Sequence, residues 1–499
     1  VLARLRSAVI VGIEAHLVSV EVDVSFGLPS FTVVGLPDVS VRESRERIRS
    51  AIRNSGLEFP PHRITVNLGP ADLPKAGSGF DLPIALTILT AAGHFGSHVP
   101  VDAVVLGELS LDGGIHPSRG VLPVAASARR ARASGLIVPT GNAAEAQLVR
   151  DLAVMAVGTL PAALEALARP PDTWRLPPAA AATAPPSACG DLADVRGQAL
   201  GRRALEIAAA GGHHLLFVGP PGSGKTMMAR RLPGILPPLS ADEALEATSI
   251  HSVAGLLRGH PCLLSERPFR APHHTISDVA LVGGGTLPRP GEITLAHHGV
   301  LFLDEIAEFS RRALDTLRQP LETGEITVAR AARVVRFPAR FQLVGAMNPC
   351  PCGHRLTPRR HCRCTPGQVA AYEARVSGPL RERIDLHVAV PPVDADALAS
   401  REAPEGTSAL RARVLRARAS PMARQQRGLN ACLEGEALAR ACDTDDEAER
   451  LLGRATRQLD ISARARAKVL RVARTIADLS GDPRVRAVHV AEALQFRAS

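Results

Sequence analysis

Aromatic side chains are nearly missing from this chain, with one Trp, one Tyr and twelve Phe among 499 residues. Its cores must therefore be aliphatic, and stacking of bases on aromatic platforms would not dominate a nucleic-acid contact. Lysine is scarcer still, confined to Lys75, Lys225 and Lys468. The positive charge is carried by Arg, and the net charge is +10. That excess favours a polyanionic partner, of which nucleic acid is the usual one. An Arg-rich composition from a GC-rich genome gives the same number. Eight cysteines over such a length do not make a disulfide scaffold, which predicts a reducing, cytoplasmic setting. No apolar run approaches the roughly 18 residues of a membrane span, and no secretory leader is visible, so no membrane contact is expected. The chain opens on Val1 rather than Met, and a few residues are expected to precede it. Its length excludes one core and predicts two to four domains.

The clearest break is "LPPAAAATAPPSACG", residues 176–190, Ala/Pro-rich, uncharged and without periodicity, which reads as a linker. Before it, over 1–175, alternating runs such as "HLVSVEVDVS" and "HRITVNLGP" interleave with helical ones such as "SVRESRERIRSAIRNSG", a mixture that suggests an α+β or α/β domain. After it, over 191–393, the short apolar runs "HHLLFVG", "GVLFLDE" and "FQLVGAMN" each lead into a polar turn. Separated by helical stretches, they predict an α/β core on a mostly parallel sheet. Residues 394–499 are rich in Ala, Arg and Leu with helical periodicity, and read as a helical lid.

"GPPGSGKT", Gly219 to Thr226, fits the phosphate-loop pattern in full, between an apolar strand and a helical run. Gly219, Pro220, Pro221, Gly222, Ser223 and Gly224 are expected to form the ATP-binding loop, whose glycines let the backbone wrap the phosphates with its N–H groups. Lys225 would supply charge to the β- and γ-phosphates, and the Thr226 hydroxyl would ligate Mg²⁺. "VLFLDE", Val300 to Glu305, is an apolar strand ending in two acids, costly to bury without a cation nearby. Asp304 is expected to hold Mg²⁺ and Glu305 to polarise the attacking water. Asn348 ends the next strand, where it would orient water against the γ-phosphate; the alternative is a turn residue before Pro349. Arg383, in "SGPLRERIDLHV", stands just before another strand, with Glu382 and Asp385 the only acids nearby in sequence. It is either a cation for a neighbouring subunit's γ-phosphate or an ordinary surface ion pair.

Four of the eight cysteines lie in "NPCPCGHRLTPRRHCRC". Cys350, Cys352, Cys362 and Cys364 could complete a tetrahedral zinc site within an insertion over 349–365, which has almost no apolar residue to form a core. His354 or His361 could replace one thiolate, and a reduced basic loop is the alternative. Cys189, Cys262, Cys432 and Cys442 are scattered and read as structural. The paired histidines His273, His274, His297 and His298 would bind a metal or, the commoner use, pair with backbone. "GEITVARAARVVRFPARF", Gly324 to Phe341, reads as a β-hairpin with Arg330, Arg333 and Arg336 near its tip, suited to DNA phosphates.

These motifs, with "LFLDEIAEF", "RAPHHTISDVALVGGG" and "GAMNPCPCG", resemble those of the ComM/YifB family of magnesium-chelatase-like AAA+ ATPases over essentially the whole chain. The resemblance implies a homohexameric ATPase using ATP and Mg²⁺, related to MCM helicases and to the chelatase motor subunit. It implies a DNA helicase acting on single-stranded or branched DNA and driving branch migration during natural transformation. By the same resemblance Asn348 is the first sensor, Arg383 the finger acting in trans and Arg464 the second sensor, with Arg474 the alternative. The hairpin would enter the central channel. Residues 1–175 resemble a Lon-protease-like domain in which Gly79 takes the place of the serine nucleophile and Leu122 that of the lysine base, which implies a scaffold without proteolysis. Lys75 and Arg119 would touch DNA or lie solvated at the surface. A chelatase-type motor remodelling a protein partner is the competing reading.

Overall fold

The computed structural model describes residues 1–75, 77–94, 101–174, 190–257, 262–285, 288–330, 333–355, 357, 361–393, 404–424 and 428–497. The linker expected over 176–190 lies, except for Gly190, outside them, as do Cys189 and the hairpin tip at 331–332. The chain divides into two compact units, Val1–Pro185 with Ala244–Leu264, and Pro186–Glu243 with Ser265–Ser499.

In the first unit the alternating runs become strands. Leu2–Val11 pairs antiparallel with Glu14–Ser25, and Glu14–Ser25 with Arg63–Gly69. On one side the sheet ends in Ser30–Val34; on the other it continues in parallel through Val104–Val105, Leu136–Pro139 and Val154–Val157. Seven strands of mixed direction result. Alternation turns one side chain in two inward, so Leu5, Val18, Val20, Val22, Val66 and Leu68 are buried. The Val39–Asn54 helix starts where the Asp38 carboxylate accepts from the Val41 N–H at 2.9 Å. The single Trp, Trp174, is buried against Gly135, where a Cβ would stand 2.6 Å from its ring.

The second unit carries a five-stranded sheet in the order Phe269–Arg270, Val300–Leu303, Gln342–Met347, Leu215–Val218, Leu386–Ala389. Every pairing in it is parallel. The three middle strands are nearly continuous apolar runs because helices cover both faces of such a sheet. The chain's first strand here, Leu215–Val218, lies between its fourth and fifth, so the strand order reverses beside it. A crevice opens at the carboxyl ends of strands at such a reversal. Beyond the sheet, the helices Thr407–Ala423, Gly435–Cys442, Asp446–Gln458, Ala463–Ser480 and Ala487–Gln495 form the expected helical region. Val414, Leu438, Leu452, Ile476 and Val490 from those helices share one apolar cluster with Leu215, Phe217 and Val388 of the sheet.

Candidate nucleotide site

The phosphate-loop sequence leaves the strand Leu215–Val218 at its carboxyl end and enters the helix Lys225–Ile235. Gly219 is required by close approach: a Cβ there would stand 2.1 Å from the Val390 carbonyl oxygen. Gly224 is required by its backbone, at φ +90°, a region L side chains rarely adopt. It is the N-cap of the helix and has no side chain, so the first-turn N–H groups face outward for an anion. Lys225 donates to the carbonyls of Gly219 at 2.7 Å and Pro220 at 2.8 Å. Burial pushes its ammonium below the usual lysine range, and Asp304 and Glu305 oppose that shift. The Ser223 hydroxyl is buried with no protein partner, an orphan of the kind a bound oxyanion would satisfy.

Asp304 and Glu305 follow the strand Val300–Leu303, the second neighbour of the loop-bearing strand. The Thr226 hydroxyl donates to the Asp304 carboxylate at 2.7 Å. Two hard oxygen donors in contact, beside a buried ammonium and an orphan hydroxyl, fit Mg²⁺ held by a few protein oxygens and phosphate. Glu305 is exposed and held at φ +51°. Its side chain extends to within 3.6 Å of His274 Nδ1. Sequence reading took His274 as a metal candidate and missed this neighbour, because 31 residues separate the two. The histidines also serve as backbone partners: His297 Nδ1 accepts the Arg340 N–H at 3.0 Å, and His273 Nδ1 accepts the Thr275 N–H at 3.4 Å.

Asn348 follows the strand Gln342–Met347, which pairs with both strands just described. The Gly219 N–H donates to the Met347 carbonyl at 3.1 Å, so the head of the phosphate loop and the residue before Asn348 are bonded together. The phenol of Tyr372, the chain's one Tyr, is hydrogen-bonded to the Asn348 backbone. The loop after Asn348 gathers its cysteines: Cys350 Sγ stands 3.4 Å from Cys352 Sγ and 3.6 Å from Cys362 Sγ, and all four sulfurs lie within 4.8 Å of one another. Backbone N–H groups of His354 and then Arg363 hold the Cys352 thiol down to about 6.

Arg383 precedes the strand Leu386–Ala389, as expected, but its carboxylate partner is neither Glu382 nor Asp385. It pairs with Glu322, 61 residues away, and donates to the Pro379 carbonyl at 2.6 Å. Asp385 is engaged elsewhere, accepting the His214 N–H at 3.1 Å. Arg464, half exposed, stands 3.6 Å from the same Glu322 and 3.5 Å from Glu382. Arg474 is fully buried, bound to Asp478 at 2.9 Å and to the carbonyls of Pro483 and Asp482, so it cannot be a second sensor. The hairpin strands are Glu325–Arg330 and Arg333–Pro338, with Arg330 opposite Arg333 and Arg336 opposite Thr327. Arg336 is exposed; the side chains of Arg330 and Arg333 lie outside the described residues.

Lys75 departs from both readings given to it. It is fully buried, with its ammonium on the Pro70 carbonyl and its pKa lowered by burial, so it neither meets DNA nor lies solvated. The sequence missed this because a lone Lys among loop residues carries no burial signal. Arg119 is exposed. Leu122 is fully buried in an apolar cluster with Val121, Val124 and Val138, and Gly79 has no side chain, so neither position offers a base or nucleophile. Among the described residues no helix is long and apolar enough to cross a membrane.

Comparison with known proteins agrees with the arrangement of the second unit. The family model described as magnesium chelatase, subunit ChlI, matches residues 191–398. Two others, for subunit ChlI of Mg-chelatase and for the ChlI C-terminal region, match 20–142 and 404–497. An uncharacterized protein YifB of Salmonella typhimurium is 44% identical over 499 residues, covering 100% of this chain and 97% of the relative. The competence protein ComM of Haemophilus influenzae is 44% identical over 502 residues, with the same coverage of 100% and 97%. A magnesium-chelatase 38 kDa subunit of Rhodobacter capsulatus is 28% identical over 151 residues, covering 27% of this chain and 43% of the relative.

Proposed function

Because the chain belongs to the ComM/YifB family of magnesium-chelatase-like proteins, we propose that it is an ATP hydrolase working as a homohexameric ring that moves along single-stranded or branched DNA. The observation that carries the ATPase is the contact of Thr226 with Asp304 beside the buried Lys225, at the carboxyl ends of parallel strands. In this reading Gly219 to Gly224 and Lys225 hold the phosphates of ATP, and Thr226 and Asp304 hold Mg²⁺, which when bound offsets their negative charge. Glu305 orients the attacking water and takes its proton, and Asn348 fixes that water from the adjoining strand end. Arg383 and Arg464 serve a neighbouring subunit's γ-phosphate.

The DNA part rests on the basic charge and on Arg330, Arg333 and Arg336 along one two-stranded hairpin. The printed name of the Haemophilus relative supports a competence role, and with it branch migration of recombination intermediates in natural transformation, in the cytoplasm. Residues 1–175 act as a Lon-protease-like scaffold without proteolysis, 191–393 as the AAA+ core and 394–499 as its lid. A chelatase-type motor that remodels a protein partner is the second reading, favoured by the chelatase descriptions of the matching family models. ATPase assays with no DNA, single-stranded, duplex and branched DNA decide between them. Stimulation by DNA with strand movement is the expected result; hydrolysis indifferent to every DNA favours the chelatase-type motor.

A further inference from the structure

The cysteine loop is joined to the nucleotide site by the chain itself and by two contacts. Asn348 lies two residues before Cys350. Gly353, at φ +78°, packs so closely on Pro221 of the phosphate loop that a Cβ would stand 2.8 Å from the proline ring. The helix Pro366–Glu373 begins two residues after Cys364, with Thr365 and Gln368 forming a reciprocal cap, and carries the Tyr372 that bonds the Asn348 backbone. The described residues between Asn348 and Tyr372 thus meet the phosphate loop at Gly353 and the sensor position at Tyr372, and they carry the four sulfurs.

Those sulfurs have the spacing of ligands around one ion. Zinc–sulfur bonds of about 2.3 Å in a tetrahedron put sulfurs about 3.8 Å apart. The observed separations are 3.4, 3.6 and 3.6 Å, and all pairs fall within 4.8 Å. A polynuclear iron–sulfur core would hold its cysteines further apart. None is disulfide-bonded. Cys350 is fully buried and the other three are partly so, and no other core is available to a loop of this composition.

We propose that Cys350, Cys352, Cys362 and Cys364 bind one zinc ion per chain, and that this ion braces Asn348 and Pro221 so that the nucleotide site is competent for hydrolysis. The second half rests on the ATPase reading above. Gly353 meets the phosphate loop at Pro221, which has no N–H to give a phosphate; nucleotide binding uses Lys225 and the N–H groups that follow from Gly222 onward. Hydrolysis needs Asn348 placed to within a fraction of an ångström, and a displacement of about 1 Å costs up to about 100-fold. Losing the metal should therefore slow hydrolysis far more than it weakens ATP binding.

The test uses the full-length protein purified under reducing conditions without added zinc. Metal analysis should give about one zinc per chain, with four thiols protected from alkylation until a chelator is added. In a Cys362→Ser, Cys364→Ser variant, and independently in chelator-stripped wild type, zinc should be lost. Affinity for a fluorescent ATP analogue should change by less than about threefold and hydrolysis fall by about tenfold or more, with zinc restoring the stripped wild type. Less than about 0.1 zinc per chain with all four thiols freely alkylated overturns the site. Zinc bound but hydrolysis unchanged on its removal overturns the brace and leaves the site standing. A zinc-loaded wild type that binds no ATP and hydrolyses none overturns the ATPase reading and the brace with it, while stoichiometry and thiol protection still decide the metal site.

Discussion

Arg383 and Arg464 converge on one carboxylate, that of Glu322. They come from segments 81 residues apart, one before the sheet's last strand and one in the first turn of the Ala463–Ser480 helix. Neither has a phosphate-loop residue among its hydrogen-bond or ion-pair partners. In the proposed ring these two guanidiniums, released from Glu322, would meet the neighbour's nucleotide.

Arg383→Ala is thus expected to lower hydrolysis by about 10³-fold or more while ATP binding stays near wild type, since a finger contributes in the transition state. Mixed with Lys225→Ala under conditions of proven subunit exchange, it should regain part of the activity, because some interfaces then carry an intact Lys225 and an intact Arg383. Two inactive variants that stay inactive when mixed would place Arg383 in its own subunit's site.

Lys225 and Glu305 should fail in different ways. Lys225→Ala removes the ammonium that the loop carbonyls of Gly219 and Pro220 hold in place, and ATP binding should fall. Glu305→Gln keeps the shape of the side chain and should bind ATP yet turn it over at least about 100-fold more slowly. Equilibrium binding and single-turnover hydrolysis separate the two. Wild-type turnover by Glu305→Gln would move the base elsewhere.

Local signals made much of this legible. The phosphate loop, the acid-tipped strand and the hairpin each occupy a short span, and the spacing of glycines or apolar residues within it follows from backbone geometry alone. The strands around Val20 and Val66 were readable because a half-buried strand must alternate. What could not be read were contacts between distant segments. Glu322 as the partner of Arg383, Gly353 against Pro221 and His274 beside Glu305 leave no periodic trace. The choice between Arg464 and Arg474 turned on which face of one helix meets the core. Ten residues apart, they are separated by about 80° around the helix axis, which leaves Arg464 half exposed and Arg474 buried on Asp478. Lys75 was misread because its backbone is bridged to distant Pro37 and its ammonium turns back onto the Pro70 carbonyl, and neither contact leaves a periodic trace.

His387 gives the fold an acid limit. Burial pushes its imidazole down to about 4, and Lys468 and Arg381 push the same way. Buried His214 is lowered too, chiefly by burial. Near pH 7 both are neutral, folded or unfolded. Below about 6.5 the unfolded chain takes up a proton that the folded chain refuses, so stability falls as pH drops from there toward 4. At pH 5 the cost from His387 is about 2 kcal/mol. Thermal melts should give a lower Tm at pH 5 than at pH 7, and His387→Gln should shrink that difference. An equal difference in wild type and variant would show that His387 titrates normally.

The hairpin should bind DNA without reading its sequence. Arg336 is exposed on the Arg333–Pro338 strand, opposite uncharged Thr327, and Arg330 faces Arg333 at the end of the ladder. Glu325, the nearest acid on the hairpin, lies at its base opposite Pro338. Two cations at the end of the ribbon and an exposed one at mid-ladder, with neighbouring Phe337 buried, suit phosphates and offer nothing for base edges. Their contribution is counterion release, with log K falling by about 0.7–0.9 per log unit of salt for each phosphate neutralised. Arg336→Ala should flatten the salt slope by that amount and weaken all DNA sequences alike. ATP binding should be untouched, because the Thr226–Asp304 contact and Lys225 lie on other elements, while strand movement per ATP should drop. Affinity measured across a salt series, together with unwinding and hydrolysis on the same substrate, checks each part. An unchanged slope with normal unwinding would take the hairpin out of the DNA path and favour a protein substrate for the ring.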